Sequence, residues 1–84
     1  MSDPEGTTAE EVLLYLIAQL VENPDQVELE IEETETKISL MAKVSSDDIG
    51  RVIGKRGRVA NSIRTLVRAA AVKDGVEVEV DFSD

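Results

Sequence analysis

The chain has 84 residues, enough for one domain, and 42% of them are apolar, so it can bury a compact core. It contains no cysteine and no histidine, which excludes disulfides, thiolate or imidazole metal sites and imidazole acid–base catalysis. The net charge of −9 taken alone argues against a nucleic acid as partner. Tyr15 and Phe82 are the only aromatic residues, which excludes a sheet that stacks bases on several exposed rings.

The charges are segregated along the chain. Residues 1–36 carry 11 acidic side chains and no basic one, residues 37–73 carry all nine Lys and Arg, and residues 74–84 carry five acidic side chains. A local basic patch can attract a nucleic acid whatever the total charge of the protein. The alternative is that these cations are only the solvated faces of helices.

The chain begins with an acidic, polar stretch that is unlike a signal or transit peptide. Its longest apolar run, residues 12–20, is far shorter than the roughly 20 residues of a membrane span. We therefore expect a soluble, cytoplasmic protein without a membrane partner. Residues 1–7 are expected to form a flexible terminus and residues 8–84 a single domain.

The first predicted element is a helix that starts at a cap on Thr7 or Thr8 and continues to about Glu22. Its apolar residues recur at helical spacing, and Pro24 disfavours helical geometry at the residue before it. Leu14 and Tyr15 widen the apolar face beyond what one core contact requires.

Three alternating runs predict half-buried strands. Their inward residues are Val27, Leu29 and Ile31 in the first run, Ile38, Leu40, Ala42 and Val44 in the second, and Val76, Val78, Val80 and Phe82 in the third. The first two runs are expected to form a hairpin, in which outward lysines of the second strand meet glutamates of the first.

Two helices are predicted between the second and third strands. The first follows Ser45-Ser46-Asp47-Asp48, a capping signal with carboxylates at the positive end of the helix dipole. The second helix has Val59, Ile63, Leu66, Val67 and Ala70 as its apolar face and stops at Asp74-Gly75. The order α-β-β-α-α-β predicts an α+β domain with one three-stranded sheet and helices on one face.

The segment from Ile49 to Arg58 carries the chemistry, because two glycines bracket two cations just before a helix. Gly54 and Gly57 would let a phosphodiester backbone come close, and free amides at the start of the helix would favour an anion. Lys55, Arg56 and Arg58 would supply positive charge. A tight turn between two helices with merely solvated cations is the alternative explanation.

Other glycine motifs fail on spacing. Gly50 and Gly54 have three residues between them where a P-loop needs four, and Arg56 stands where a P-loop has Ser or Thr. No Gly-x-Gly occurs, so a dinucleotide fingerprint is absent.

The run I-G-x-x-I-G-[KR]-x-G-R between two helices, preceded by two strands and followed by one, resembles the KH domain. The order of the elements is similar to the type II, bacterial arrangement. Residues 52–58 and 62–70 are similar to the small stand-alone bacterial KH proteins of the KhpA family, and the resemblance covers residues 9–82.

The resemblance implies that the chain binds single-stranded RNA, whose backbone is clamped by the loop while bases lie in a narrow groove. The residues that it implicates in RNA binding are Ile49, Arg51, Val52, Ile53, Gly54, Lys55, Arg56, Gly57, Arg58, Asn61 and Arg64. No strand residue is assigned to the other side of the groove; Met41 and Lys43 are the candidates. The resemblance also implies a homodimer, a heterodimer with a second KH-containing protein, or both.

The sequence indicates no enzyme, because the carboxylates lie on exposed strands and no nucleophile–base pair is visible. No cofactor, metal or small-molecule substrate is expected. An RNA chaperone or post-transcriptional regulator with little sequence specificity fits best. A protein–protein adaptor with a KH fold that no longer binds RNA is the alternative.

Overall fold

The computed structural model describes residues 9–72 and 75–84 and follows the predicted order of elements. The expected flexible terminus, the cap at Thr7 or Thr8 and the helix stop at Asp74 fall outside the described residues. The elements are α1 (Ala9–Ala18), β1 (Glu28–Glu33), β2 (Lys37–Lys43), α2 (Ile49–Ile53), α3 (Arg58–Val72) and β3 (Glu77–Ser83), with 3-10 turns at Pro24–Gln26 and Lys55–Gly57. No helix in these two ranges is long and apolar enough to cross a membrane.

The sheet has the strand order β1-β2-β3. β1 and β2 form the predicted antiparallel hairpin, with Leu29 opposite Ala42. β3 runs parallel to β2, with Leu40 opposite Val80. A parallel neighbour requires a crossover connection, which α2 and α3 provide. Strand β3 therefore lies at a free edge of the sheet, beside the two helices that flank the glycine loop.

The core lies between the inner face of the sheet and the helices. It is aliphatic, as expected, and includes Leu13, Ile17, Leu40, Ala42, Val52, Ile63, Val67, Val78 and Val80. All of these side chains are less than a tenth exposed. This arrangement confirms the predicted α+β class with helices on one face of a three-stranded sheet.

The outer face of the sheet is polar and mainly acidic. Lys43 meets Glu30 of β1 at 3.5 Å, as the hairpin predicts, whereas Lys37 pairs with Glu79 of β3 at 2.9 Å. The four carboxylates Glu30, Glu32, Glu79 and Asp81 surround a shallow depression of about 400 Å³ over Ser39 and Met41. Both basic side chains on this face are thus paired with glutamates.

Two details of the predicted helices are wrong. α1 ends at Ala18 rather than near Glu22, and its last amides turn tightly, with Leu20 N donating to Ile17 O at 2.9 Å. Leu66, which was assigned to the core, is 53% exposed. The buried stripe of α3 is made of Ala60, Ile63, Val67 and Ala71, and Leu66 lies about 100° around the helix from Val67.

The early end of α1 has a tertiary cause at Asp48, a fully buried carboxylate that directly precedes α2. Its oxygens accept hydrogen bonds from the amides of Glu22 and Asn23, at 3.1 and 3.0 Å, and from Asn23 Nδ2 at 3.1 Å. These two amides are therefore used outside the helix. The chain after α1 is tied to the start of α2.

Burial by itself would raise the pKa of Asp48. The hydrogen bonds from Glu22 and Asn23, together with the charge of Arg51, outweigh burial and hold the pKa below its ordinary value. A carboxyl whose pKa is depressed by folding stabilises the native state above its unfolded pKa, near 4, and this contribution is lost as the pH falls through the folded pKa.

We expect Asp48→Ala to lower the thermal unfolding midpoint at pH 7 by roughly 10 °C, because three donors lose their acceptor. The matched control is Asp47→Ala, since Asp47 is the exposed neighbour. The difference in midpoint between wild type and Asp48→Ala should start to shrink below about pH 4, where the carboxyl of the unfolded chain binds a proton, and should go on shrinking until the carboxyl of the folded protein is protonated as well. Circular dichroism melts over pH 3–7 measure both effects. Equal midpoints for the two variants at pH 7 would contradict this role.

Candidate nucleic-acid interface

The loop between α2 and α3 depends on the backbone of Gly54. Its dihedral angles, φ 73° and ψ 178°, lie in a region that glycine alone occupies without strain. A Cβ at this position would overlap Val59 Cγ2 and would lie 3.0 Å from the Val59 amide nitrogen. Glycine is thus required at Gly54 for conformation and also for the close approach of the first turn of α3.

The rest of the loop forms one 3-10 turn, Lys55–Gly57. Arg56 (φ 57°) and Gly57 (φ 74°) both have left-handed backbones, which is uncommon for a side chain such as arginine. Gly57 N donates to Gly54 O at 3.3 Å. Lys55 and Arg56 begin this turn, and the first amides of a helical segment have no acceptor within it. Two N–H groups at the tip are therefore available to an anion.

Three cations of this loop are exposed and unneutralised: Lys55, Arg56 and Arg58. None has a carboxylate within 4 Å among the residues that the structure describes. The other described cations are all engaged. Lys37, Lys43, Arg51 and Arg64 pair with carboxylates, and Arg68 donates to Val78 O at 3.4 Å. Free positive charge is thus concentrated at the loop of a protein whose net charge is −9.

α2 divides the predicted apolar residues between two environments. Val52 is completely buried and belongs to the core. Ile49 and Ile53 are half-buried and pack against the core from its margin, so each keeps some surface for a ligand. Of the three, these two can line a groove.

Arg51 is held on another side of α2. Its Nη2 lies 2.8 Å from Glu22 Oε1, and its Nε lies 3.7 Å from Asp48 Oδ1. The structure therefore places Arg51 with the connection after α1, and its charge is balanced there by two carboxylates.

Asn61 and Arg64 lie together on α3, beside the free edge of β3. Arg64 Nε donates to Val80 O at 2.8 Å and Nη1 donates to Asn61 Oδ1 at 3.0 Å. The third nitrogen, Nη2, lies 3.6 Å from Asp81 Oδ1, and the guanidinium carbon lies 5.7 Å from the centre of the Phe82 ring.

These contacts identify β3 as the strand across from the loop helices. The candidates Met41 and Lys43 lie on the outer face of β2, among the carboxylates, and so do not reach the inner side. Sequence reasoning left out Asp81 and Phe82. The signal that could have found Phe82 is its rarity, since it is one of two aromatic residues in the chain.

The chain is similar to known proteins over most of its length. The family model described as "KhpA/KhpB, KH domain" matches residues 10–82. "RNA-binding protein KhpA" of Listeria monocytogenes serovar 1/2a is 42% identical over 73 residues, covering 87% of this chain and 96% of that protein. The protein of the same name from Bacillus subtilis (strain 168) is 40% identical over 75 residues, covering 89% and 93%. That of Clostridium acetobutylicum is 46% identical over 71 residues, covering 83% and 95%.

Two solved structures share the fold at low sequence identity. An Aquifex aeolicus Era variant bound to GDP.AlF4- superposes with a TM-score of 0.63 at 16% identity, over 89% of this chain and 30% of that chain. Era in complex with MgGDPNP and nucleotides 1506–1542 of 16S ribosomal RNA gives 0.61 at 17% identity, over 89% and 29%. With the family model matching most of its length, the chain belongs to the KhpA/KhpB family of KH-domain proteins.

Proposed function

We propose that this chain binds single-stranded RNA and clamps its sugar–phosphate backbone with the loop Gly54–Gly57. The observation that carries the proposal is the concentration of unpaired charge in the loop: within the described ranges, the side chains of Lys55, Arg56 and Arg58 have neither a carboxylate partner nor a hydrogen bond. The other described cations pair with carboxylates, except Arg68, which donates to a backbone carbonyl. The names of the relatives, "RNA-binding protein KhpA", support the choice of RNA.

The loop geometry supports phosphates as the groups that it holds. Gly54 and Gly57 remove side chains from the approach, and the amides of Lys55 and Arg56 can donate to phosphate oxygens. Lys55 and Arg56 add charge at the tip, and Arg58 adds charge from the first turn of α3. Contacts to the backbone position RNA without reading its sequence, so we propose low sequence specificity.

The groove in this proposal is lined on one side by Ile49, Ile53 and Asn61, with Arg64 reaching across toward β3. Val52 is buried in the core and supports α2 from below the groove. Arg51 fixes α2 to the connection after α1. We propose that the KH domain extends over residues 8–84, two residues beyond the matched segment at each end.

We infer that the chain acts by binding rather than by catalysis. Asp48, the one fully buried carboxylate among the described residues, has its oxygens occupied by Glu22 and Asn23 and is unavailable for proton transfer. A role as RNA chaperone or post-transcriptional regulator, in the cytoplasm where cellular RNA is found, is consistent with weak RNA binding that has little sequence preference.

We also propose that the chain forms homodimers, or pairs with a second KH-containing protein, through the outward surfaces of α1 and α3. Tyr15 is 66% exposed and Leu66 is 53% exposed, although both are large apolar side chains on packed helices. Val72, 73% exposed, lies on the other flank of α3 near Val76 and Val78 and offers a second surface. One KH module holds few phosphates, and a second linked module raises avidity.

The charge proposal predicts that Lys55→Asp/Arg56→Asp weakens binding of a labelled single-stranded RNA by more than tenfold at low salt. The matched control is Lys37→Asp/Lys43→Asp, which changes the net charge by the same amount, from −9 to −13, on the outer face of the sheet. Fluorescence anisotropy measures both, and wild type should show a salt slope near −2 if about three phosphates are neutralised. Equal losses in the two variants, or binding by neither wild type nor variants, would favour the adaptor function.

The loop geometry predicts that Gly54→Ala and Gly57→Ala differ. Alanine at Gly54 would overlap Val59, and its backbone would be strained in a conformation that only glycine adopts without strain. This substitution should therefore displace the loop and weaken RNA binding severalfold or more. Alanine at Gly57 meets no atom within 4 Å and costs only the positive φ, about 1–2 kcal/mol. Anisotropy titrations and thermal melts of both variants measure the difference. A larger loss at Gly57 would show that the loop is not held by the contact with Val59.

The assembly proposal predicts that Tyr15→Glu/Leu66→Glu produces a monomer in sedimentation velocity experiments, because charge replaces apolar surface at the interface. Val72→Glu, on the other flank of α3, is the control and should leave the dimer intact. Dissociation by Val72→Glu alone would move the interface to that flank, and a monomeric wild type would refute self-association.

A further inference from the structure

Arg64 is the most constrained exposed cation beside the proposed groove. Its three guanidinium nitrogens each face a different oxygen: Nε faces Val80 O, Nη1 faces Asn61 Oδ1, and Nη2 faces Asp81 Oδ1. Two hydrogen bonds, from Nε and Nη1, and the ion pair of Nη2 with Asp81 hold this planar group in place. Rotation of the guanidinium would break at least two of these contacts.

The aromatic ring of Phe82 also contacts the Arg64 guanidinium. The guanidinium carbon lies 5.7 Å from the ring centre, within the range of a cation–π contact. The Arg64 side chain is still 26% exposed, so part of it is open to solvent. The Arg64 guanidinium thus lies over the ring while part of the side chain stays open to a ligand.

We propose that the free face of the Arg64 guanidinium is a stacking site for one unpaired purine base of the bound RNA. This inference rests on the proposed RNA-binding function and adds to it a base contact, apart from the backbone clamp of the loop. Unstacked RNA bases are commonly held on aromatic rings or on arginine planes. In a chain with two aromatic residues, the Arg64–Phe82 pair supplies the plane that rings supply elsewhere.

The surroundings favour a base over a phosphate at this position. The Asp81 carboxylate lies 3.6 Å from Nη2 and is itself 66% exposed, so a phosphate there would meet a negative charge that a neutral base would not. Nε and Nη1 are already hydrogen-bonded and Nη2 faces Asp81, an arrangement that favours stacking over further hydrogen bonds to the guanidinium. Stacking strength grows with the area of the base, and the two-ring purines therefore gain more than pyrimidines.

Arg68 provides a matched comparison one turn further along α3. Its Nε donates to Val78 O at 3.4 Å, so it also reaches the edge of β3. Within the part of the chain that the structure describes, the Phe82 ring contacts Arg64 and not Arg68. Exchange of either arginine for lysine keeps the charge and removes the planar face.

The test uses the full chain and two labelled RNAs, a uridine octamer and the same octamer with one central adenosine. Wild type should bind the adenosine-containing RNA about threefold to fivefold more tightly. Arg64→Lys should bind both RNAs equally, with a salt slope unchanged from wild type because the charge is kept. Arg68→Lys should retain the wild-type preference. A third RNA with 7-deazaadenosine should retain the preference in wild type, since it keeps the stacking area and lacks the N7 acceptor.

A second variant, Phe82→Leu, removes the ring while keeping an apolar side chain and should reduce the preference as Arg64→Lys does. The inference is overturned if wild type binds the two octamers equally, if Arg64→Lys retains the preference, or if 7-deazaadenosine abolishes it. Failure of wild type to bind either octamer is a different result, because it refutes the proposed RNA-binding function itself.

Discussion

The buried carboxylate of Asp48 accepts hydrogen bonds from the amides of Glu22 and Asn23, which lie 26 and 25 residues earlier in the chain. The position of the glycine loop depends on this junction. α2 has only five residues, too few to be a stable helix by itself. Val52 anchors it in the core, and Asp48 holds its first turn against the connection after α1. Arg51 adds a bond to Glu22 from the same helix. A short helix that is fixed on two sides can present Gly54 and the cations after it in a defined place.

The distribution of ion pairs explains how an acidic chain can offer a cationic surface. On the outer face of the sheet, Lys37 and Lys43 are balanced by Glu79 and Glu30, and a surplus of carboxylates remains. Around the loop the reverse holds, since Lys55, Arg56 and Arg58 have no acidic neighbour within the described part of the chain. A polyanion is therefore repelled from one face and attracted to the opposite edge, so the charge pattern orients the proposed ligand before any short contact forms.

Local sequence patterns predicted the strands, the hairpin and the two helices around the loop because alternation and helical spacing are encoded within a few residues. The side-chain cap predicted for α2 is not formed, because the Asp48 carboxylate accepts hydrogen bonds from Glu22 and Asn23 instead. The failures share one cause, which is contact between distant residues. α1 ends early because Asp48 takes the amides of Glu22 and Asn23, and no residue near Glu22 signals this. Leu66 fits the helical spacing of apolar residues in the sequence. The orientation of α3 against the sheet, however, buries a different set of side chains: Ala60, Ile63, Val67 and Ala71. The position of the loop between two helices could be predicted because the glycine spacing is a local pattern. That β3 lies across from these helices could not be predicted, because this depends on which strand occupies the edge of the sheet.

The free edge of β3 takes part in the proposed RNA binding and not in the proposed assembly. In parallel pairing, the backbone groups of alternate residues face the neighbouring strand, so those of Val78 and Val80 face outward from β3. Arg64 and Arg68 cover their carbonyl oxygens, which leaves this edge less open to pairing with another strand. Tyr15 and Leu66, in contrast, are exposed on α1 and α3 away from the sheet. In the proposed assembly, a partner that binds Tyr15 and Leu66 without covering the loop would place a second RNA-binding loop nearby, and avidity would then offset the weak binding of a single loop.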